Sequence, residues 1–281
     1  MMDQNLHSKY IQLQFILHEM ESVVIGFSGG VDSTLLLKVA VDTLGSNVIA
    51  VIGKSETYPS REYEEAEQFV RSLGAPYEVV YTQETDNLKF KENPPDRCYY
   101  CKTELFTKLS EIAQRRNIKW IADGTNVDDL GDFRPGLKAV KENNVRSPLL
   151  EAGFTKNDIR ELSRILNLPT WDKQSFACLS SRFPYWTRIE PEKLKKIDIA
   201  ETFLRDNGFK YFRVRHHDDK TLRIEVGGDE IYRFLDENFR ITLVKKFKEL
   251  DFVYITLDLE GFRSGSMNEV LDETVKQKFK S

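Results

Sequence analysis

The sequence predicts an α/β protein, a doubly wound parallel sheet followed by a smaller α+β domain. Three observations carry that prediction. Short β-branched or aromatic runs recur through the first half, at Val23-Val24-Ile25, Val48-Ile49-Ala50-Val51-Ile52, Tyr77-Glu78-Val79-Val80-Tyr81 and Lys119-Trp120-Ile121-Ala122-Asp123. Segments with apolar residues at helical spacing separate them, and strands alternating with helices build a parallel sheet covered on both faces. Near residue 190 the composition shifts and the alternation ends.

The 281 residues suffice for one large or two moderate domains with an ample core. Charged residues make up 31% of the chain, but the net charge is only −4, so no basic field advertises nucleic acid. The N-terminal stretch MMDQNLHSKYIQLQF lacks an apolar signal region, and no apolar run is long enough to span a membrane. A cytoplasmic protein without a membrane partner is therefore expected. The three cysteines, Cys98, Cys101 and Cys178, cannot all pair, and a reducing cytosol disfavours disulfides.

Taken in order, residues 3–20 place Leu6, Tyr10, Leu13, Ile16, Leu17 and Met20 on one helical face. The first strand, with Val23, Val24, Ile25 and Phe27, runs into Ser28-Gly29-Gly30-Val31-Asp32-Ser33 and then a helix carrying Leu35, Leu36 and Leu37. A strand, a tight glycine turn and a helix start aim free backbone N–H groups and a positive helix end at one spot, where a phosphate chain belongs. Gly29 and Gly30 allow close backbone approach, Ser28 and Ser33 add hydroxyl donors, and Asp32 supplies a carboxylate for Mg²⁺. The turn lacks the Lys of a Walker loop and the spacing of a dinucleotide fingerprint. An ordinary strand-to-helix turn with a capping Ser or Asp is the plainer alternative.

Helices are expected over 61–73, 99–117 and 155–166, with strands at 48–52, 77–81 and 119–123. The fourth strand leads into Asp123-Gly124-Thr125-Asn126-Val127-Asp128-Asp129 and Gly131-Asp132. Gly124 lets a nucleotide approach the backbone and Asn126 can read a base or phosphate edge. Asp128, Asp129 and Asp132 either add Mg²⁺ ligands or cap the next helix. Residues 168–188 have no period and read as a long functional loop. Beyond them come a helix over 191–207, strands at 211–216 and 221–226, a helical stretch over 229–249 and a last strand at 252–257. The expected organisation is a nucleotide domain over 1–170, a catalytic loop over 171–189 and an α+β domain over 190–281.

Cys98 and Cys101 form a CxxC at a helix start beside Arg97 and Lys102, an environment that favours thiolates. A CxxC is shared by redox, zinc and cluster sites, and with no fourth Cys structural zinc is disfavoured. Together with Cys178 the pair can hold a [4Fe–4S] cluster with one open iron if the fold gathers all three. Otherwise they are two helix-start cysteines and an unrelated nucleophile, Cys178 beside Arg182 acting as sulfur donor. Arg213 and Arg215 alternate along one strand face, suited to one phosphate or to salt bridges across a surface strand. Glu225, with Asp229, either binds a cation or aligns these arginines.

The SGGVDS turn resembles the PP-loop of ATP pyrophosphatases, which cleave ATP to AMP and pyrophosphate while adenylating a substrate. In order along nearly the whole chain, SGGVDS, NPPDRCYYCK, DGTNVDDLGDFRPG, PTWDKQSFACLSSRFPY and the RVRHH strand resemble the LarE family. That resemblance implies an adenine nucleotide alpha hydrolase-like fold with an added C-terminal domain. It also implies sulfur transfer in making the nickel-pincer nucleotide cofactor of lactate racemase. ATP would adenylate the carboxylates of pyridinium-3,5-biscarboxylic acid mononucleotide, and sulfide would displace AMP.

Carried over by position, Ser28, Gly29, Gly30, Asp32 and Ser33 bind the ATP phosphates and Mg²⁺, and Gly124 and Asn126 complete the nucleotide site. Arg213 and Arg215 hold the substrate phosphate or AMP. Cys178 matches a cysteine that one branch of the family sacrifices. The presence of Cys98, Cys101 and Cys178 favours the branch with a [4Fe–4S] cluster fed by an external sulfur donor. A homo-oligomer, a hexamer by resemblance, is also expected. Trp186 stands where a PYG-type loop has glycine. A tRNA thiolase is the nearest rival, but it needs a basic surface or an RNA-binding module. An amide-forming synthetase would leave the cysteines idle, and a nucleotide sensor would bind ATP without releasing pyrophosphate.

Overall fold

The computed structural model describes residues 2–131, 133–174 and 177–278. In chain order the elements are α1 (Gln4–Met20), β1 (Val23–Gly26), α2 (Val31–Leu44), β2 (Val48–Lys54), α3 (Ser60–Leu73), β3 (Tyr77–Tyr81), α4 (Leu88–Lys91), α5 (Arg97–Arg115) and β4 (Trp120–Ala122). They continue as α6 (Gly136–Glu142), α7 (Pro148–Glu151), α8 (Lys156–Ile165), α9 (Pro191–Asp206), β5 (Phe212–His216), β6 (Thr221–Val226), α10 (Glu237–Lys248), β7 (Tyr254–Leu257) and α11 (Glu273–Lys278). Two compact units result. One holds residues 1–84, 95–176 and 273–281; the other holds 85–94 and 177–272.

In the first unit four parallel strands lie in the order β3-β2-β1-β4. Val23 registers with Val48 on one side and with Trp120 on the other. Because strand side chains alternate, β1 and β2 feed two separate cores. Val23, Ile25, Val48, Ala50 and Ile52 join α1, α2, α3 and α8 on one face. Val24, Ile49 and Val51 meet Phe106, Leu109 and Ile112 of α5 and Val140 of α6 on the other. The doubly wound sheet expected from the sequence is present. Val23, Val24 and Ile25 of its inner strand β1 are fully buried, and the carboxyl ends of β1 and β4 lie side by side, the usual binding position in such sheets.

The second unit has a three-stranded sheet in the order β5-β6-β7, antiparallel between β5 and β6 and parallel between β6 and β7. The helical stretch expected over 229–249 is broken in two. A 3-10 turn covers Gly228–Leu235, and α10 starts only after Asp236, whose extended backbone and carboxylate accepting from the Phe239 N–H (2.7 Å) cap it. A short acidic side chain that bonds its own backbone is the reason a continuous apolar period did not give one helix. Among the described residues no helix is long and apolar enough to cross a membrane.

Candidate functional site

At the end of β1 the chain folds over Ser28, Gly29 and Gly30 before α2 begins at Val31. Gly29 has φ +63, and a Cβ there would come within 2.9 Å of the Ala66 Cβ on α3. Only glycine fits, for conformation and for space alike. The Ser28 and Ser33 hydroxyls meet at 3.1 Å, and Ser33 Oγ donates to the Gly30 carbonyl at 3.2 Å. Tyr58 Oη donates to the Ser28 carbonyl at 2.7 Å and holds the loop from the side of α3. Burial, with Glu62 and Glu65 nearby, raises the Tyr58 hydroxyl above its ordinary range, so it stays a donor.

Asp32 follows on the first turn of α2. Its carboxylate accepts from Lys156 Nζ at 2.6 and 2.5 Å, and Asn126 Nδ2 stands 3.5 Å away. Burial lifts this carboxyl above the usual range even against the pull of Lys156, and Asp129 adds to the lift. Gly124 closes the cleft: a Cβ would lie 3.0 Å from the Ser33 nitrogen and 3.2 Å from the Asp32 Cβ. Asn126 is fully buried and forms a local turn, its Oδ1 accepting from the Asp128 N–H at 3.0 Å.

Asp128 caps the start of α8, and Asp129 closes the local turn. Asp128 Oδ2 accepts from the Lys156 N–H at 2.7 Å, and Asp129 accepts from the Asn126 N–H and pairs with Arg134 at 2.8 Å. Asp132 lies outside the described residues, as do Ser175 and Phe176. The structure therefore gathers Ser28, Gly29, Gly30, Asp32, Ser33, Gly124 and Asn126 in one cradle. It adds Lys156 and Tyr58, which the sequence reading did not single out. Lys156 was visible only as the first residue of a capped helix, because nothing local says that α8 starts opposite the glycine loop.

Cys98 and Cys101 sit near the start of α5, three positions apart and so on one face of the helix. Cys98 is exposed and Cys101 partly so. Cys101 Sγ faces Glu84 Oε1 at 3.8 Å, a buried carboxylate oxygen that also accepts from Ser55 and Thr57 at 2.7 Å each.

Cys178, in the second unit, is half-buried and precedes a 3-10 turn over Leu179–Arg182. Arg182 is 1% exposed. Its guanidinium forks onto Glu201 at 2.9 Å twice, and its Nη1 donates to the Ala177 and Cys178 carbonyls at 2.6 and 3.1 Å. Burial pushes Glu201 up, but Arg182 outweighs it and holds the carboxyl below the ordinary range. Arg182 thus shapes the backbone that carries Cys178.

Arg215 forks onto Glu225 at 3.0 and 2.7 Å and also donates to the Ser181 carbonyl and Ser266 Oγ at 3.1 Å each. Glu225 thus holds Arg215 in place, and Arg223 reaches it as well at 3.1 Å. Asp229 is exposed. Arg213 is partly exposed and lies over the Phe262 ring at 5.0 Å. Burial, with Arg182 nearby and Arg215 adding to it, brings its guanidinium down to about 10, still charged at neutral pH.

A parallel sheet whose first strand ends in a glycine-serine phosphate cradle, with an Asp on the following helix turn, defines an ATP-using enzyme of the PP-loop class. The NAD synthase family profile matches residues 6–107. A pyridinium-3,5-bisthiocarboxylic acid mononucleotide synthase of Lactiplantibacillus plantarum is 40% identical over 95% of this chain and 96% of its own. An uncharacterized protein of Synechocystis sp. is 42% identical over 95% of this chain and 99% of its own. Another, from Methanocaldococcus jannaschii, is 32% identical over 91% and 98%. The chain belongs to the LarE family of ATP-dependent sulfur transferases.

Proposed function

We propose that this enzyme adenylates the carboxylates of pyridinium-3,5-biscarboxylic acid mononucleotide and converts them to thiocarboxylates, in the cytoplasm, for nickel-pincer nucleotide synthesis. The observation that carries the reading is the cradle of Ser28–Ser33, Gly124 and Asn126, in a chain matching a bisthiocarboxylic acid mononucleotide synthase over 95% of its length.

The backbone N–H groups of the glycine loop and the start of α2 bind the ATP phosphates. Asp32 is the carboxylate suited to Mg²⁺, which supplies charge neutralisation on the departing pyrophosphate. Lys156 holds Asp32 in place and turns to the phosphates once ATP is seated, a fixed cation for the charge that develops there. A substrate carboxylate oxygen attacks the α-phosphorus, the bond to the β-phosphate oxygen breaks, and pyrophosphate leaves. Sulfide then attacks the acyl carbon, the carbon–oxygen bond to AMP breaks, and one proton is released. A carboxylate resists attack by sulfur; its acyl-adenylate does not, because AMP is a good leaving group. Arg213 and Arg215 meet the AMP phosphate of the acyl-adenylate near the reacting sulfur, Arg215 with its fork set by Glu225.

Cys98 and Cys101, on one face near the start of α5, and Cys178 are the thiols this reading assigns to a [4Fe–4S] cluster, although among the described residues no group of three potential metal ligands is gathered. A cluster held by Cys98, Cys101 and Cys178 would supply the sulfide that attacks the acyl-adenylate. An external sulfur donor and a homo-oligomer complete the reading, with no nucleic-acid or membrane partner.

The test is anaerobic incubation with ATP, Mg²⁺, sulfide and the biscarboxylic mononucleotide, following pyrophosphate release and product mass. The expected result is pyrophosphate that depends on the mononucleotide, with oxygen-to-sulfur mass gains in the product. ATP binding without pyrophosphate would reduce the protein to a nucleotide sensor. Iron and labile sulfide after reconstitution, lost in Cys98→Ala, Cys101→Ala and Cys178→Ala alike, test the cluster separately. A mass loss at Cys178 after one turnover would replace it with a sacrificial cysteine.

A further inference from the structure

The second unit contains a cavity of about 330 Å³ lined by Leu88, Lys91, Glu92, Trp186 and Arg188. Trp186 has φ +67, a backbone region that bulky L side chains avoid. The turn does not need an indole. Its geometry is fixed by the Trp186 N–H donating to the Asn93 carbonyl at 3.0 Å. Asn93, itself buried and at φ +53, donates its side-chain amide to the Pro184 and Phe183 carbonyls at 2.7 and 3.3 Å. Glycine would satisfy the same bonds without strain.

Nor does the core need the ring, since Trp186 is 69% exposed. A large aromatic kept where it is strained and left open to solvent on a cavity wall is placed for a ligand. The charges beside it say which kind. Lys91 and Arg188 line the same cavity, and among the described residues neither pairs with a carboxylate. Glu92 adds one acceptor suited to a sugar hydroxyl.

An indole face takes a planar ring by stacking, most strongly a cationic or electron-poor one, and two uncommitted cations take a phosphate. The volume suits a compact ligand. We propose that this cavity binds a mononucleotide, its aromatic ring on Trp186 and its phosphate on Lys91 and Arg188. Both the pyridinium substrate and the AMP product of the function proposed above have that chemistry, and only this choice of ligands rests on that reading.

The test titrates the full-length protein with nicotinic acid mononucleotide and, separately, with AMP, after a non-hydrolysable ATP analogue has filled the glycine loop. Calorimetry reads binding, and tryptophan emission reads stacking. Saturable binding with quenching by the pyridinium compound alone assigns the site to the substrate. Binding of AMP alone assigns it to the product, and equal binding of both supports the shared chemistry. In each case Lys91→Ala/Arg188→Ala should weaken binding by at least about tenfold, as loss of charged phosphate contacts does. Trp186→Gly should lose the site while melting no lower than wild type and still binding the ATP analogue.

No binding of either probe, or wild-type affinity in both variants, overturns the proposal. Failure of the sulfur-transfer reading is a different result: wild-type protein releasing no pyrophosphate with the biscarboxylic mononucleotide, whatever Trp186 binds.

Discussion

Replacing Lys156 with Ala removes the cation that touches both oxygens of Asp32, at 2.6 and 2.5 Å. Both side chains are about one-quarter exposed. An exposed ion pair contributes about 0–1 kcal/mol, and breaking a fully buried one costs about 3–5 kcal/mol. The partial exposure places this pair near about 2 kcal/mol of stability, hence a melting temperature lower by about 4–8 °C for a unit of this size. Asp32 gives the sign of the pH response. Burial already raises its carboxyl pKa above the unfolded value, and loss of Lys156 raises it further. The folded state then binds the proton more tightly than the unfolded chain, so the variant regains stability as the pH falls towards that raised value.

Catalysis adds a second readout. If Lys156 meets the phosphates in the transition state, the Ala variant loses about 10²–10³ in kcat for pyrophosphate release, as for other fixed charge-stabilising groups. Differential scanning fluorimetry from pH 5 to 8 and a coupled pyrophosphate assay measure both effects. Lys156→Ala/Asp32→Asn should recover most of the stability and none of the rate. A variant that melts within about one degree of wild type, and turns over within about twofold, would refute the reasoning from structure to both numbers.

Gly29→Ala sets a Cβ against Ala66 at positive φ, so it should lose ATP affinity by calorimetry, and Ala66→Gly should restore part of it by relieving the 2.9 Å contact. Arg182→Ala leaves Glu201 charged and buried, which costs about 3–5 kcal/mol in a denaturant melt; replacing both by apolar residues should cost much less. His216 is buried against Phe183 at 4.8 Å between ring centres, and burial, reinforced by Lys193, lowers its pKa. Below the unfolded value of about 6.5 the unfolded chain binds the proton more readily, so stability falls as pH drops from there towards the folded value. His216→Phe should flatten that slope in thermal melts; an unchanged slope would exclude the residue as its source.

Much of the first unit was legible because strand burial writes itself locally. Val23, Val24 and Ile25 form one unbroken apolar run, as a strand with cores on both faces must. The glycine loop was legible for the same reason, its backbone demand being met by residues adjacent in the chain. Even Trp186 was marked, since the expectation of glycine there matches its φ of +67.

What escaped the sequence is partnership. Arg215 read equally well as a free phosphate ligand, and only the β5–β6 pairing shows its fork taken up by Glu225. Arg182 read as a neighbour of Cys178, yet its anchor, Glu201, comes from a different helix. The break before α10 depends on one carboxylate choosing its own backbone over solvent, which apolar spacing does not register.

Asp32 and Lys156 lie 124 residues apart in the chain. A ribosome adding about 5–20 residues each second releases the glycine loop long before the lysine that faces it has been made. The nascent chain therefore carries a phosphate loop without its counter-charge, and β1 waits for β4 to complete the cleft. With Lys156 in the role proposed above, full nucleotide affinity is expected only once α8 has docked. Because a ligand that binds the folded cleft and not its precursors stabilises the folded state, ATP draws the folding equilibrium forward by mass action. The substrate of the enzyme is in this sense also its last folding partner.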